Sequence, residues 1–94
     1  MTADFYLADS DTYLNKEVTV QVSMVTRSEL TAPSGFRAVY LETANQGVPG
    51  GSISAFVPDE YYDSFINYYQ MPNREFTGLL FQQNDNIVLV YRRR

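Results

Sequence analysis

The sequence predicts a mainly β domain, a closed or nearly closed barrel of five strands with one α-helix between the third and the fourth. Three observations carry this. Over Glu17 to Thr26 a strict alternation puts Val18, Val20, Val22 and Met24 on one face and Thr19, Gln21 and Ser23 on the other, the period of a half-buried strand. Gly50 to Val57 alternates in the same way, with Ile53, Ala55 and Val57 on one face, and runs straight into Pro58-Asp59-Glu60. That tripeptide is a helix-start signal, because proline presets φ for the first turn and acids suit the positive end of the helix dipole. The connections are short and polar, and the resulting order β-β-β-α-β-β favours antiparallel neighbours over a helix-covered parallel sheet.

Residues 1–15 read as a lead-in packed on a barrel domain that spans 16–94. Within it, Asp9-Ser10-Asp11-Thr12 is rich in capping and turn residues, so one helical turn is expected at Asp11 to Leu14, with Tyr13 and Leu14 tucked under the barrel. The alternating acids there do not make a calcium loop. A third acid, the glycine of the sharp turn and the closing glutamate are all missing.

The first strand is longer than the usual ~5–6 residues, which suggests that it bends and serves both halves of the barrel. Arg27 to Gly35 is a polar loop punctuated by Pro33 and Gly35. In the second strand, Phe36 to Thr43, the two faces compete for the interior. The preferred choice places Val39 and Leu41 inside and leaves Phe36 and Tyr40 outside. The inverted choice, with those aromatics in the core and Arg37 solvated, remains open. Ala44 to Gly51 reads as a hairpin loop.

After the third strand, Tyr62, Phe65, Ile66 and Tyr69 recur at helical spacing, and Pro72 ends the run. This stripe is expected to plug one open end of the barrel and to meet Val18, Val22, Ile53 and Leu80 there. Arg74 to Gln83 is the fourth strand, apolar on both faces, and Gly78 within it marks a bend or a close approach of another backbone. Gln83 to Asn86 is a tight polar turn, and Ile87 to Tyr91 the last strand.

Composition narrows the functions. The 94 residues suit one domain, and eight Tyr and six Phe supply apolar material for its core. Cysteine and histidine are both absent, which removes thiolate or imidazole zinc sites and every nucleophile scheme that needs a His base. No cofactor is implied. Asp59, Glu60 and Asp63 are explained by helix capping and a polar face, and no carboxylate pair is placed by pattern in a cleft, so an enzyme is not expected. Net charge is −4 and the pI about 4.5, the opposite of a nonspecific nucleic-acid binder's footprint. No apolar run reaches the ~18 residues that span a bilayer, and the first residues do not resemble a signal peptide. The expectation is a soluble chain, cytoplasmic or a mature exported fragment.

The long first strand, the Val57-Pro58-Asp59 start of a helix directly after the third strand, and Gly78 within the fourth together resemble the OB-fold. That family is a five-stranded antiparallel Greek-key barrel with a helix between strands three and four. The resemblance covers about Lys16 to Arg92 and is one of architecture. It points to small divergent bacterial OB-like domains of unassigned role, some carried on lipoproteins, whose anchoring cysteine this chain lacks. An SH3-like barrel fits the helix poorly.

The resemblance implies a binding surface on the outer face of strands two and three and the loops after strands one and four. By position that surface holds Phe36, Arg37, Tyr40, Phe56 and Arg27, rimmed by the Arg27–Gly35 and Asn84–Asn86 loops. Aromatics there would stack on bases or sugar rings while arginines hold phosphates. Glu42 and the net charge move the odds toward an uncharged sugar, a peptide or a protein surface. Tyr61 and Tyr68 read as core-rim residues, and Arg92, Arg93 and Arg94 as a solvated end. The implied function is non-enzymatic binding of single-stranded oligonucleotides. The alternative is a protein-interaction or structural module of a larger, envelope-associated bacterial assembly.

Overall fold

In the computed structural model of the chain, residues 1–67 and 74–92 are described. Two short helices, α1 (Ala3–Leu7) and α2 (Ser10–Tyr13), precede the strands β1 (Glu17–Arg27), β2 (Phe36–Asn45) and β3 (Val48–Pro58). A 3₁₀ turn, Asp59–Tyr61, leads into α3 (Tyr62–Asn67), and β4 (Arg74–Gln83) and β5 (Asn86–Tyr91) follow. The strands close into a barrel in the order β1-β2-β3-β5-β4. Four of the five pairings are antiparallel; β3 and β5 run parallel where the barrel closes. The predicted mainly β barrel with its helix between β3 and β4 is therefore the observed one, an architecture compatible with an OB-like fold.

β1 serves both halves, as its length suggested. Glu17 to Val22 pairs with β4, and Val22 to Arg27 pairs with β2. Between these halves Ser23 is an extra residue, since Val22 faces Thr43 and Met24 faces Glu42. The bulge resets the alternation. Val25 therefore takes the interior position expected for Met24, which is 40% exposed.

A second bulge alters the next hairpin. Gly50 and Gly51 together oppose Thr43, with Gly51 at φ +83. The hairpin is also tighter than the composition suggested: β3 already begins at Val48, and the turn is Gln46-Gly47, both at positive φ as a type I′ turn requires. The β4–β5 turn is Asn84-Asp85, as expected.

The bore is filled by Val18, Val20, Val22, Val25, Val39, Leu41, Ile53, Ala55, Val57, Phe76, Leu80 and Leu89, one contiguous apolar cluster. Both ends are stoppered. At one, Phe65 packs its ring against Phe76 and Tyr91 with centroids 5.5 and 5.1 Å apart. Of the wall residues expected beneath this helix, Val22 lines the seam with Phe65, whereas Leu80 is tied through its backbone to Asn15 and Lys16. Pro58 is the last residue of β3, its ψ of 144° keeping it extended, and helical backbone starts only after it. Tyr68, Tyr69, Met71 and Pro72 lie outside the described residues.

The other stopper is the N-terminal segment, where α1 forms in addition to the expected turn. Ala3 and Tyr6 are buried in the same core, with Tyr13 and Leu14 packed beside them. Thr43 is the joint. Its hydroxyl accepts from the Ala3 N–H at 2.9 Å and points its single proton at the Gly50 and Gly51 carbonyls, 3.0 and 2.9 Å away. Glycine suits both positions, because Gly51 lies at φ +83 and a Cβ at Gly50 would fall on the Thr2 side chain.

Two stability outcomes follow from this packing. A Cβ at Gly78 would lie 2.8 Å from the Val90 carbonyl oxygen, so Gly78→Ala should cost about 1–3 kcal/mol by overpacking in urea unfolding. Thr43→Val strands the Ala3 N–H and should cost about 1–3 kcal/mol as a buried unsatisfied donor. An unchanged midpoint in either would contradict the geometry that motivates it.

Candidate functional site

Strand parity decides what each site residue faces. On β2, Val39, Leu41 and Thr43 point into the bore, so Phe36, Ala38, Tyr40 and Glu42 face outward, the assignment preferred from sequence. Tyr40 is 41% exposed and Phe36 half-buried. On β3 the outward set opposite them is Ser52, Ser54 and Phe56.

Phe56 faces outward but is not available. It is 1% exposed and forms a second apolar cluster with Ala38 and Val88, covered by Leu30 and Ala32 of the β1–β2 loop and flanked by Phe36 and Val90. The parity expected for Phe56 is right and its exposure is not, because the loop folds back across the wall. Ser28 and Ser54 hydroxyls meet at 3.1 Å, and the Gln83 side-chain amide donates to the Thr31 carbonyl at 3.3 Å. The loop expected as a rim is a cover.

Arg27 and Arg37 do not belong to the outer face. Arg37 continues the inward parity of Val39, and Arg27 that of Val25, with Arg27 opposite Val39 in the ladder. Both stand at the rim of the end that α3 stoppers, and their side chains are exposed there. The Arg37 guanidinium lies over the Tyr62 ring, 4.2 Å from its centroid, a cation–π contact worth ~0.5–1 kcal/mol at an exposed site. Among the described residues neither arginine has a carboxylate partner.

Arg27, Arg37, Phe36 and Tyr62 thus share one recess of about 340 Å³, walled by Leu30 and Ala32. Three of the five residues named from sequence meet there, while Tyr40 lies outside it and Phe56 lies beneath the loop. Sequence reasoning missed Tyr62, which it counted only as core, and Leu30 with Ala32. The signal for the last two was present: Ser28, Leu30 and Ala32 recur at every second position and are the half-buried residues of the loop.

A second cavity, about 270 Å³, lies between α3 and the barrel wall and is lined by Tyr61, Phe65, Phe76 and Tyr91. Tyr61 meets Tyr91 edge-on at 6.0 Å, the core-rim role expected of it. These rings are the packing seam of the stopper. Among the described residues no group of three acidic side chains is gathered closely enough to hold a metal ion, and no helix is long and apolar enough to cross a membrane. Arg92 is exposed; Arg93 and Arg94 lie outside the described residues.

Substitution separates cover from surface. Phe56→Ala should cost about 3–5 kcal/mol of folding, as for a core aromatic. Tyr40→Ala should stay within about 0.5 kcal/mol of the parent in the same urea series. Equal costs would mean that the loop does not shield Phe56. No protein-family model, no curated protein and no solved structure matches the chain.

Proposed function

We propose that this chain is a non-enzymatic, OB-like binding domain whose ligand is a single-stranded nucleic acid, gripped by its phosphates at Arg27 and Arg37. The observation that carries the reading is the convergence of two arginines, free of carboxylate partners among the described residues, with Phe36 and Tyr62 in one recess. A guanidinium offers a planar fork of donors that suits phosphate oxygens. The Tyr62 ring beneath Arg37 orients that fork, and Phe36 offers an apolar edge to a base. The net charge of −4 repels a polyanion at long range, which favours a short ligand and local contacts.

A second reading has its own support. Met24 and Tyr40 are 40% and 41% exposed and sit diagonally on the outer wall, since Met24 pairs with Glu42 and Tyr40 with Thr26. An exposed Met–Tyr pair beside an acid suits a protein contact better than a phosphate backbone.

Titration of a fluorescently labelled short single-stranded DNA decides between them. Two phosphate contacts predict that log affinity falls against log salt with a slope of about −1.4, and Arg27→Ala or Arg37→Ala should each flatten it by about 0.7. Absence of binding at low salt removes the nucleic-acid reading and leaves the protein contact at Met24 and Tyr40.

A further inference from the structure

The β1–β2 loop is fastened to the barrel more lightly than its coverage implies. From Ser28 to Ala32 it presents alternate side chains to the wall, with Ser28, Leu30 and Ala32 half-buried and Glu29 and Thr31 exposed. Beneath it Phe56 is 1% exposed and Val88 0%. Yet no ladder joins the loop to the strands it crosses. Its backbone bonds to the barrel are one at each end, Ser28 N–H to the Ala38 carbonyl at 3.4 Å and Asp59 N–H to the Gly35 carbonyl at 3.0 Å, and, within the loop, Phe36 N–H donates to the Pro33 carbonyl at 3.0 Å. The rest is the Ser28–Ser54 hydroxyl pair, the Leu30 N–H donating to the Ser28 hydroxyl at 3.2 Å within the loop, the Gln83 contact to Thr31, and the apolar contact of Leu30 and Ala32.

The wall underneath is complete without the loop. Ala38 pairs with Phe56 across β2 and β3, and Phe56 with Val90 across β3 and β5. Lifting the loop breaks no strand pairing, so it belongs to the segments that open locally at far lower free energy than the whole fold. Gly35, at φ +86 with its carbonyl held by the Asp59 N–H at 3.0 Å, is a ready pivot at the far end.

We propose that Ser28 to Gly35 is a displaceable strap: it lifts while the barrel stays closed, and so unmasks a surface of Phe36 and Phe56 on which the ligand's bases stack beside the phosphates held by Arg27 and Arg37. The stacking half rests on the function proposed above; the lifting does not. In the closed state Leu30 and Ala32 occupy the place a base would take, so the strap and the ligand compete.

The chain contains no cysteine, which makes a thiol probe unambiguous. Val88→Cys puts a thiol under the strap, and Leu89→Cys puts one in the bore on the next residue, both positions being 0% exposed. With Ellman's reagent, V88C should react at least about tenfold faster than L89C and faster than its own global unfolding rate, and adding Leu30→Gly should raise the V88C rate further. If V88C reacts no faster than the protein unfolds, the strap does not lift and the proposal fails whatever DNA does.

Competition is read separately in S28C/S54C, where the parent hydroxyls are 3.1 Å apart. Oxidation should weaken binding of the single-stranded DNA probe at least about fivefold, a cost of about 1 kcal/mol, and reduction should restore it. Equal binding in both redox forms overturns the masking. Rapid V88C labelling with DNA binding in neither redox form overturns the nucleic-acid reading and the stacking role, while the lifting stands.

Discussion

The last strand must find two neighbours at once, and the rest of the structure depends on that. β5 lies antiparallel to β4 through a two-residue turn and parallel to β3 at Ser54 to Phe56. A parallel neighbour requires the chain to travel from one end of the sheet to the other before β5 can be laid down. The connection through α3 and β4 makes that journey, and α3 stoppers the barrel on the way. Gly78 makes the closure sterically possible, because a side chain there would strike the Val90 carbonyl. Closure in turn joins the strands into one ring and sets the rim at which Arg27 and Arg37 emerge beside α3.

Much of this was legible in the residues. Alternation named the bore residues of β1 as far as Val22 and of β3 throughout, and Pro58-Asp59 located the passage from strand to helix. Alternation is a local rule, however, and it fails where a residue is added. Neither Ser23 nor the Gly50-Gly51 pair announces a bulge by composition alone. The first moved Met24 outward and Val25 inward; the second is tied to the docking of Thr2 and Asp4, which is a tertiary fact. The N-terminal helix was missed for a related reason, since its Ala3 and Tyr6 find their place only against Thr43, the glycines and Thr19.

The site divides in the same way. Parity gave the outward direction of Phe56, whereas on β2 it left two choices, of which the preferred one, with Phe36 and Tyr40 outward, is the observed one. It could not say that a loop would lie over Phe56, because a stretch with Ser, Glu, Thr and Pro reads as solvated until the spacing of its two apolar residues is noticed. The arginines show the opposite case. Each continues an inward row, and only the end of the bore, a property of strand lengths and shear, turns that inward position into an exposed one. The chemistry of the recess thus comes from where three strands stop.

Because no strand pairing runs through residues 28–35 and their backbone bonds to the barrel are confined to the two ends, the wall's appearance and the fold's integrity are carried by different residues. Insertions, deletions or swaps in that span can redraw what the cylinder offers to a visitor while the valine lining and the paired strands go untouched. Descendants of such a sequence are free to vary that surface at little risk to folding, provided that the pivot glycine and the crossing of Thr43 with the N-terminus are kept.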